Sequence, residues 1–70
     1  MIDKFLKEFG LTRYQVAKIS GVLEATLSLA NDKPINSLSV RVLQALAMAT
    51  GLTPGEVLDK LIKQEGNPII

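Results

Sequence analysis

The sequence predicts an all-α fold, a compact bundle of five short helices. Apolar residues recur at helical spacing and nowhere alternate as a strand would require. Threonine-led capping boxes open two of the segments. Glycines or turn-forming clusters close every segment.

Ile2, Phe5, Leu6 and Phe9 fall at i, i+3, i+4 and i+7, so they form one apolar helical stripe, which Gly10 ends. Thr12 and Gln15 make a capping box that starts a second helix over residues 13–20, with Val16, Ala17 and Ile19 expected inward. Gly21 breaks that helix. Val22 opens the third, whose inward residues at helical spacing are Leu27 and Ala30, and Asn31-Asp32-Lys33-Pro34 closes it. A fourth helix follows, capped by Ser37 or Ser39. Its apolar run takes in Val40, Leu43, Leu46 and Ala47, and Gly51 terminates it. Thr53-Pro54-Gly55-Glu56 then supplies an N-cap, a first-turn proline and the reciprocal glutamate for a fifth helix. Val57, Leu58, Leu61 and Ile62 give that helix its apolar face. Gly66-Asn67-Pro68 ends it, leaving Ile69 and Ile70 as an apolar tail. The expected organisation is a single domain over residues 1–65 and a tail over residues 66–70.

Composition narrows the function classes. The chain has 70 residues and neither cysteine nor histidine, which excludes disulfides, His- or Cys-ligated zinc, cysteine nucleophiles and histidine bases. No paired carboxylates, P-loop or nucleophile motif appears, and a helical bundle this small has little room for a pocket, so no enzyme and no cofactor is expected. Eight basic and seven acidic residues give a net charge of +1, so only the placement of charge, not its excess, can point to nucleic acid. No apolar run approaches the ~20 residues of a membrane span, and no secretory signal pattern opens the chain. A soluble, cytoplasmic protein is expected. A domain this short is marginally stable alone, which makes self-association the expected support.

The stretch TRYQVAKISGV, residues 12–22, resembles the first helix and turn of the lambda-repressor-like helix-turn-helix family, also called the Cro or XRE type. Ala17, Gly21, Val22 and Leu27 match that pattern in register. Leu46-Ala47, Gly51-Leu52-Thr53 and Val57-Leu58 resemble the family's fourth and fifth helices, so the likeness runs over residues 2–63. The types have physical reasons. Ala17 is small where two helices cross, Gly21 allows the positive φ of the turn, and Val22 and Leu27 pin the next helix to the core.

The resemblance implies a helix-turn-helix at about residues 13–31 and double-stranded DNA as partner, with residues 23–31 in the major groove. It implies a sequence-specific transcriptional regulator, a repressor, acting by occupancy. Arg13 and Tyr14, at the start of the second helix, would meet a phosphate, and Lys33 would touch the backbone from the loop after the third. Lys18, and beyond it Arg41, are further cationic candidates, whose ordinary alternative is a solvated helix face. Base-reading positions fall on Glu24, Ala25, Thr26, Ser28 and Leu29. None offers the arginine–guanine fork, although Glu24 can accept from cytosine and Ala25 or Leu29 can meet a thymine methyl. Leu23 replaces the serine usual at the cap of this helix. Surplus apolar surface at Met48, Leu58, Leu61 and Ile62, with Ala45, Ala49, Thr50 and the tail nearby, marks an expected homodimer contact. The alternative is a protein-interaction module on the same fold, an antitoxin or anti-repressor, for which Leu23 and Leu29 would form the partner surface.

Overall fold

The computed structural model describes residues 1–66. Among them are five α-helices, a 3-10 turn and no strand: α1 (Ile2–Lys7), α2 (Arg13–Ser20), α3 (Glu24–Asn31), the 3-10 turn (Ile35–Ser37), α4 (Val40–Thr50) and α5 (Pro54–Glu65). Of the tail expected over residues 66–70 only Gly66 is described; its apolar end, Ile69 and Ile70, lies outside the described residues.

Both capping boxes form. Gln15 N–H donates to Thr12 Oγ1 at 3.2 Å while Thr12 N–H donates to Gln15 Oε1 at 2.8 Å. Thr53 and Glu56 repeat the pattern at 3.1 and 2.9 Å, with Pro54 as the first residue of α5. The bonds to Thr53, first that of its backbone N–H, hold the Glu56 carboxyl below the usual glutamate range by favouring its charged form. Ser39, not Ser37, caps α4, its Oγ accepting from Val42 N–H at 3.2 Å; Ser37 belongs to the 3-10 turn.

α4 is the hub. It packs on α2, α5 and α3, while α1 rests on α3 and α5. The fully buried side chains are Ile2, Phe5 and Leu6 from α1, Val16 from α2, Leu27 from α3, Val42 and Leu46 from α4, and Val57 and Leu61 from α5. Burying such side chains contributes about 1.5–3 kcal/mol each before chain entropy is counted. No buried side-chain polar atom among the described residues lacks a hydrogen-bond partner.

Four expectations are corrected. Regular α1 ends at Lys7, earlier than the stripe to Phe9 implies. The chain goes on turning through tighter bonds, Phe9 N–H to Leu6 O and Gly10 N–H to Lys7 O, and closes with Leu11 N–H on Leu6 O. Phe9 therefore stays on the stripe, its ring centroid 5.1 Å from that of Phe5. Ile19 is half exposed rather than inward, because the inward face of α2 is centred on Val16 and Ala17 and Ile19 falls on its flank. In α4 the inward residues are Val42, Ala45, Leu46 and Ala47, and Val40 points outward. Val40 lies two positions, or about 200°, round the helix from Val42. Leu61, expected at a dimer contact, is fully buried in the monomer core and has no surface to offer.

Candidate nucleic-acid interface

The turn between α2 and α3 is built from local bonds. Gly21 adopts φ +78°, which an L side chain rarely tolerates, and its N–H closes α2 on Ala17 O at 2.9 Å. Ser20 Oγ donates to Val16 O at 2.7 Å and accepts from Val22 N–H at 3.2 Å, so one hydroxyl ties the end of α2 to the first residue beyond the corner. Val22 is half-buried against the core. Leu27 and Ala30 anchor α3 by its inner side, as expected from their spacing.

The rest of α3 looks outward. Leu23, immediately before it, is 73% exposed and Leu29 is 67% exposed. Glu24 and Ala25 are exposed, while Thr26 and Ser28 are half-buried. Thus three of the five expected base-reading residues, Glu24, Ala25 and Leu29, stand on the free face. Thr26 sits lower, beside Leu29, Lys33, Ser37 and Ser39, around a shallow depression between α3 and the following loop. Ser28 is turned towards α2, where its Oγ accepts from Arg13 Nη1. Leu23 offers no side-chain cap, so the first N–H groups of α3 are not closed off by a hydroxyl as those of α2, α4 and α5 are.

At the start of α2, Tyr14 is exposed and the Lys18 ammonium lies over its ring, 5.6 Å from the centroid. This cation–π pairing of residues one turn apart draws the lysine charge back towards the helix start. Thr12 closes off the N–H of Gln15, which leaves the N–H groups of Arg13 and Tyr14 as the first-turn donors that an anion would find. The Arg13 guanidinium does not extend freely from there. Its Nε lies 3.0 Å from Asp3 Oδ1 on α1, and its Nη1 donates to Ser28 on α3. Arg13 thereby links three helices.

Lys33 is exposed just past the end of α3, its N–H bonded to Ala30 O at 3.2 Å, and flanks the same depression as Leu29. Arg41 is exposed in the first turn of α4. The lysine after α3, the free face of α3 and the first turn of α2 are therefore presented by one continuous unit, the α2–turn–α3 pair with its exit loop.

A sequence model describing the Cro/C1-type HTH DNA-binding domain matches residues 1–60. The chain belongs to this family. Its five helices and the absence of strands among the described residues fit a Cro/C1-type domain, and membership makes DNA binding the coarse function. No curated protein matches the chain. No helix among the described residues is long and apolar enough to cross a membrane.

Of the remaining residues expected at a dimer contact, Met48 is 59% exposed beside a shallow depression lined by Gln44, Ala47, Leu52 and Pro54. Leu58 and Ile62 are half-buried, and Ala45 is buried within the core. Sequence reasoning missed Asp3 and Asn31. Asn31 ends α3 and accepts on Oδ1 from Asp3 N–H at 2.9 Å. Met1 amine nitrogen also reaches Asn31, 3.0 Å from its backbone oxygen. Nothing in helical periodicity flags these residues, since their partners are some thirty positions away.

Proposed function

We propose that this Cro/C1-type domain is a sequence-specific transcriptional regulator, a repressor that acts in the cytoplasm by occupying DNA rather than by chemistry. Residues 23–31 lie in the major groove, with Glu24, Ala25 and Leu29 towards the bases and the half-buried Thr26 and Ser28 at the edge of that contact. Arg13, Tyr14, Lys18 and Lys33 serve the phosphates. One observation carries this reading. The outward face of α3 is free of the core and stands next to the first turn of α2, where the cap leaves the N–H groups of Arg13 and Tyr14 as donors, in a chain of a DNA-binding family. Phosphate contacts supply most of the affinity and base contacts the discrimination, so a near-neutral α3 is compatible with binding when its neighbours carry the cations.

Titration of random duplex by fluorescence anisotropy tests it. Only the cations among these residues neutralise a phosphate, so two or three such contacts per subunit predict a slope of log K against log salt near −0.9 per contact, with clear binding at ~50 mM salt. Absence of binding, or binding indifferent to salt, would remove the reading.

The active species is a homodimer joined about Met48, with Leu58 and Ile62 at its margin, on a pseudo-palindromic site whose halves lie about 34 Å apart. Support comes from the exposure of Met48 beside the Leu52 and Pro54 depression. Sedimentation equilibrium at micromolar concentration should give a dimer that Met48→Glu dissociates; a strictly monomeric wild type would contradict it.

A second reading, a protein-interaction module of the antitoxin or anti-repressor kind, is favoured by a different observation. Leu23 and Leu29 are large, apolar and exposed on α3, while the one arginine at the start of α2 is already paired. Leu29→Asp separates the two: loss of a co-purified protein with DNA binding unchanged selects the module.

A further inference from the structure

Arg13 has a partner that a helix-by-helix reading does not place beside it. Asp3 belongs to the first turn of α1, and its Oδ1 stands 3.0 Å from Arg13 Nε. The carboxylate is held in place. Asp3 N–H donates to Asn31 Oδ1 at 2.9 Å, and Asn31 Nδ2 reaches Asp3 Oδ2 at 3.4 Å. Asn31 and Ser28 are neighbours one turn apart on α3, and Ser28 takes the other edge of the guanidinium. Asp3 and Arg13 line an open depression at the start of α2, together with Lys7, Thr12, Tyr14 and Glu24. Two carboxylates therefore flank the place where the first turn of α2 offers its N–H groups.

We propose that Asp3 sets how tightly this domain grips DNA, by occupying the Arg13 guanidinium that a phosphate at the start of α2 would otherwise take. The proposal rests on the DNA-binding reading above and names a control on that same site. Carboxylate and phosphate compete for the same planar fork of donors. A guanidinium already neutralised by a carboxylate displaces no counterion when DNA arrives, so it adds nothing to the salt-dependent affinity. The Asp3 side chain is 52% exposed and that of Arg13 32%, so water screens the pair and a phosphate can exchange for Asp3, but only by entering beside Asp3 and Glu24. Phosphate affinity is the part of binding that ignores sequence. Lowering it at Arg13 leaves a larger share of the total to α3 and reduces retention on unrelated DNA, which makes Asp3 a specificity-determining residue although it touches no base.

The test compares salt-dependent anisotropy titrations of random duplex by wild type, Asp3→Asn, Arg13→Ala, the double variant and Asp59→Asn. Asp59 is exposed on α5, so its substitution changes net charge equally without meeting Arg13. Asp3→Asn should bind about tenfold more tightly at ~50 mM salt, with a slope steeper by about 0.9. Asp59→Asn should change affinity less than about twofold, its charge being screened at distance. In the Arg13→Ala background the gain from Asp3→Asn should vanish. Asp3→Ala, which keeps no oxygen near Arg13, should repeat the gain, and thermal melting of each variant checks that it is folded. A wild-type slope in both Asp3 variants, or an equal gain with and without Arg13, overturns the proposal. If wild type binds as expected and the Asp3 variants do not differ, only the role of Asp3 fails. If neither wild type nor the Asp3 variants bind duplex, the DNA reading fails and this proposal with it.

Discussion

The α2–α3 and α4–α5 junctions turn the chain in the same way and then diverge. Each helix ends on a hydroxyl residue that bonds back four positions: Ser20 Oγ to Val16 O and Thr50 Oγ1 to Leu46 O, both at 2.7 Å. Each is followed by a left-handed glycine, Gly21 at φ +78° and Gly51 at φ +77°. Their N–H groups bond to Ala17 O and Ala47 O at 2.9 Å. A half-buried aliphatic residue comes next, Val22 in one case and Leu52 in the other. At the following position the two part. Thr53 builds a capping box and is followed by Pro54, whereas Leu23 makes no cap and leaves its side chain in solvent.

The common part is what a tight helix–helix corner demands of a chain. The differing part shows where stability was not maximised. A side-chain cap is worth about 1 kcal/mol, and removing a leucine from an exposed site costs a small domain nothing in packing. The start of α5 has the cap, and α5 buries Val57 and Leu61 completely. The start of α3 lacks it, and α3 buries only Leu27 and Ala30, with hydrogen bonds from Arg13 at its flank and between Asn31 and the start of α1 at its end. On this account α4–α5 is the platform and α3 the element held out for a partner.

Substitutions can break or sharpen that contrast. The largest effect belongs to the platform. Leu46→Ala should cost about 2–5 kcal/mol in urea denaturation, enough to unfold much of a domain this small, whereas Leu29→Ala should cost less than about 0.5 kcal/mol. Comparable losses at the two sites would deny that α3 stands outside the core. Next come the corners. Gly21→Ala and Gly51→Ala should each cost about 1–2 kcal/mol from the left-handed backbone alone, since a Cβ at either position meets no other atom within 4 Å. Unequal penalties would show that the two turns are not the same device. Smaller again, Thr53→Ala should cost about 1 kcal/mol, while Leu23→Ser should stabilise by about 0.5–1 kcal/mol by adding the missing cap. A destabilised Leu23→Ser would mean that Leu23 already packs usefully.

The smallest effect is one of pH. Glu56 is held ionised by its bonds to Thr53, so its folded-state value lies below that of the unfolded chain. Its contribution is therefore fully present above the ordinary glutamate range and is lost as pH falls through the lower folded value. Thermal melting across that acid window should show a shallower decline for Glu56→Gln than for wild type. Parallel declines would mean that the capping carboxylate is not what titrates.

Local chemistry was legible in the sequence, and long-range chemistry was not. The two capping boxes, the corners at Gly21 and Gly51, and Leu27 and Ala30 as the inner side of α3 could all be read because each depends on residues within about one helical turn. The inward face of α4 was misread because Val40, Val42, Leu43, Ala45, Leu46, Ala47, Met48 and Ala49 are apolar nearly all round the helix, so periodicity selects no side. Leu61 was assigned to a subunit contact for a related reason. Its stripe also holds Val57, Leu58 and Ile62, and spacing alone does not tell the buried centre of such a stripe from its margin. At the candidate interface, the exposure of Glu24, Ala25 and Leu29 followed from the inward positions of their neighbours. The engagement of Arg13 by Asp3 and Ser28 did not, because ten and fifteen residues separate those partners and only the packing of α3 against both α2 and α1 brings the three together.

The central claim is that the free face of α3 and the first turn of α2 form one surface for duplex DNA. Backbone amide chemical-shift mapping of labelled protein titrated with duplex at ~50 mM salt tests it most directly. The account predicts shifts concentrated at residues 12–14, 23–29 and 33, with the amides of α5 scarcely moved. Shifts centred on α5 and Met48, with α3 silent, would contradict it.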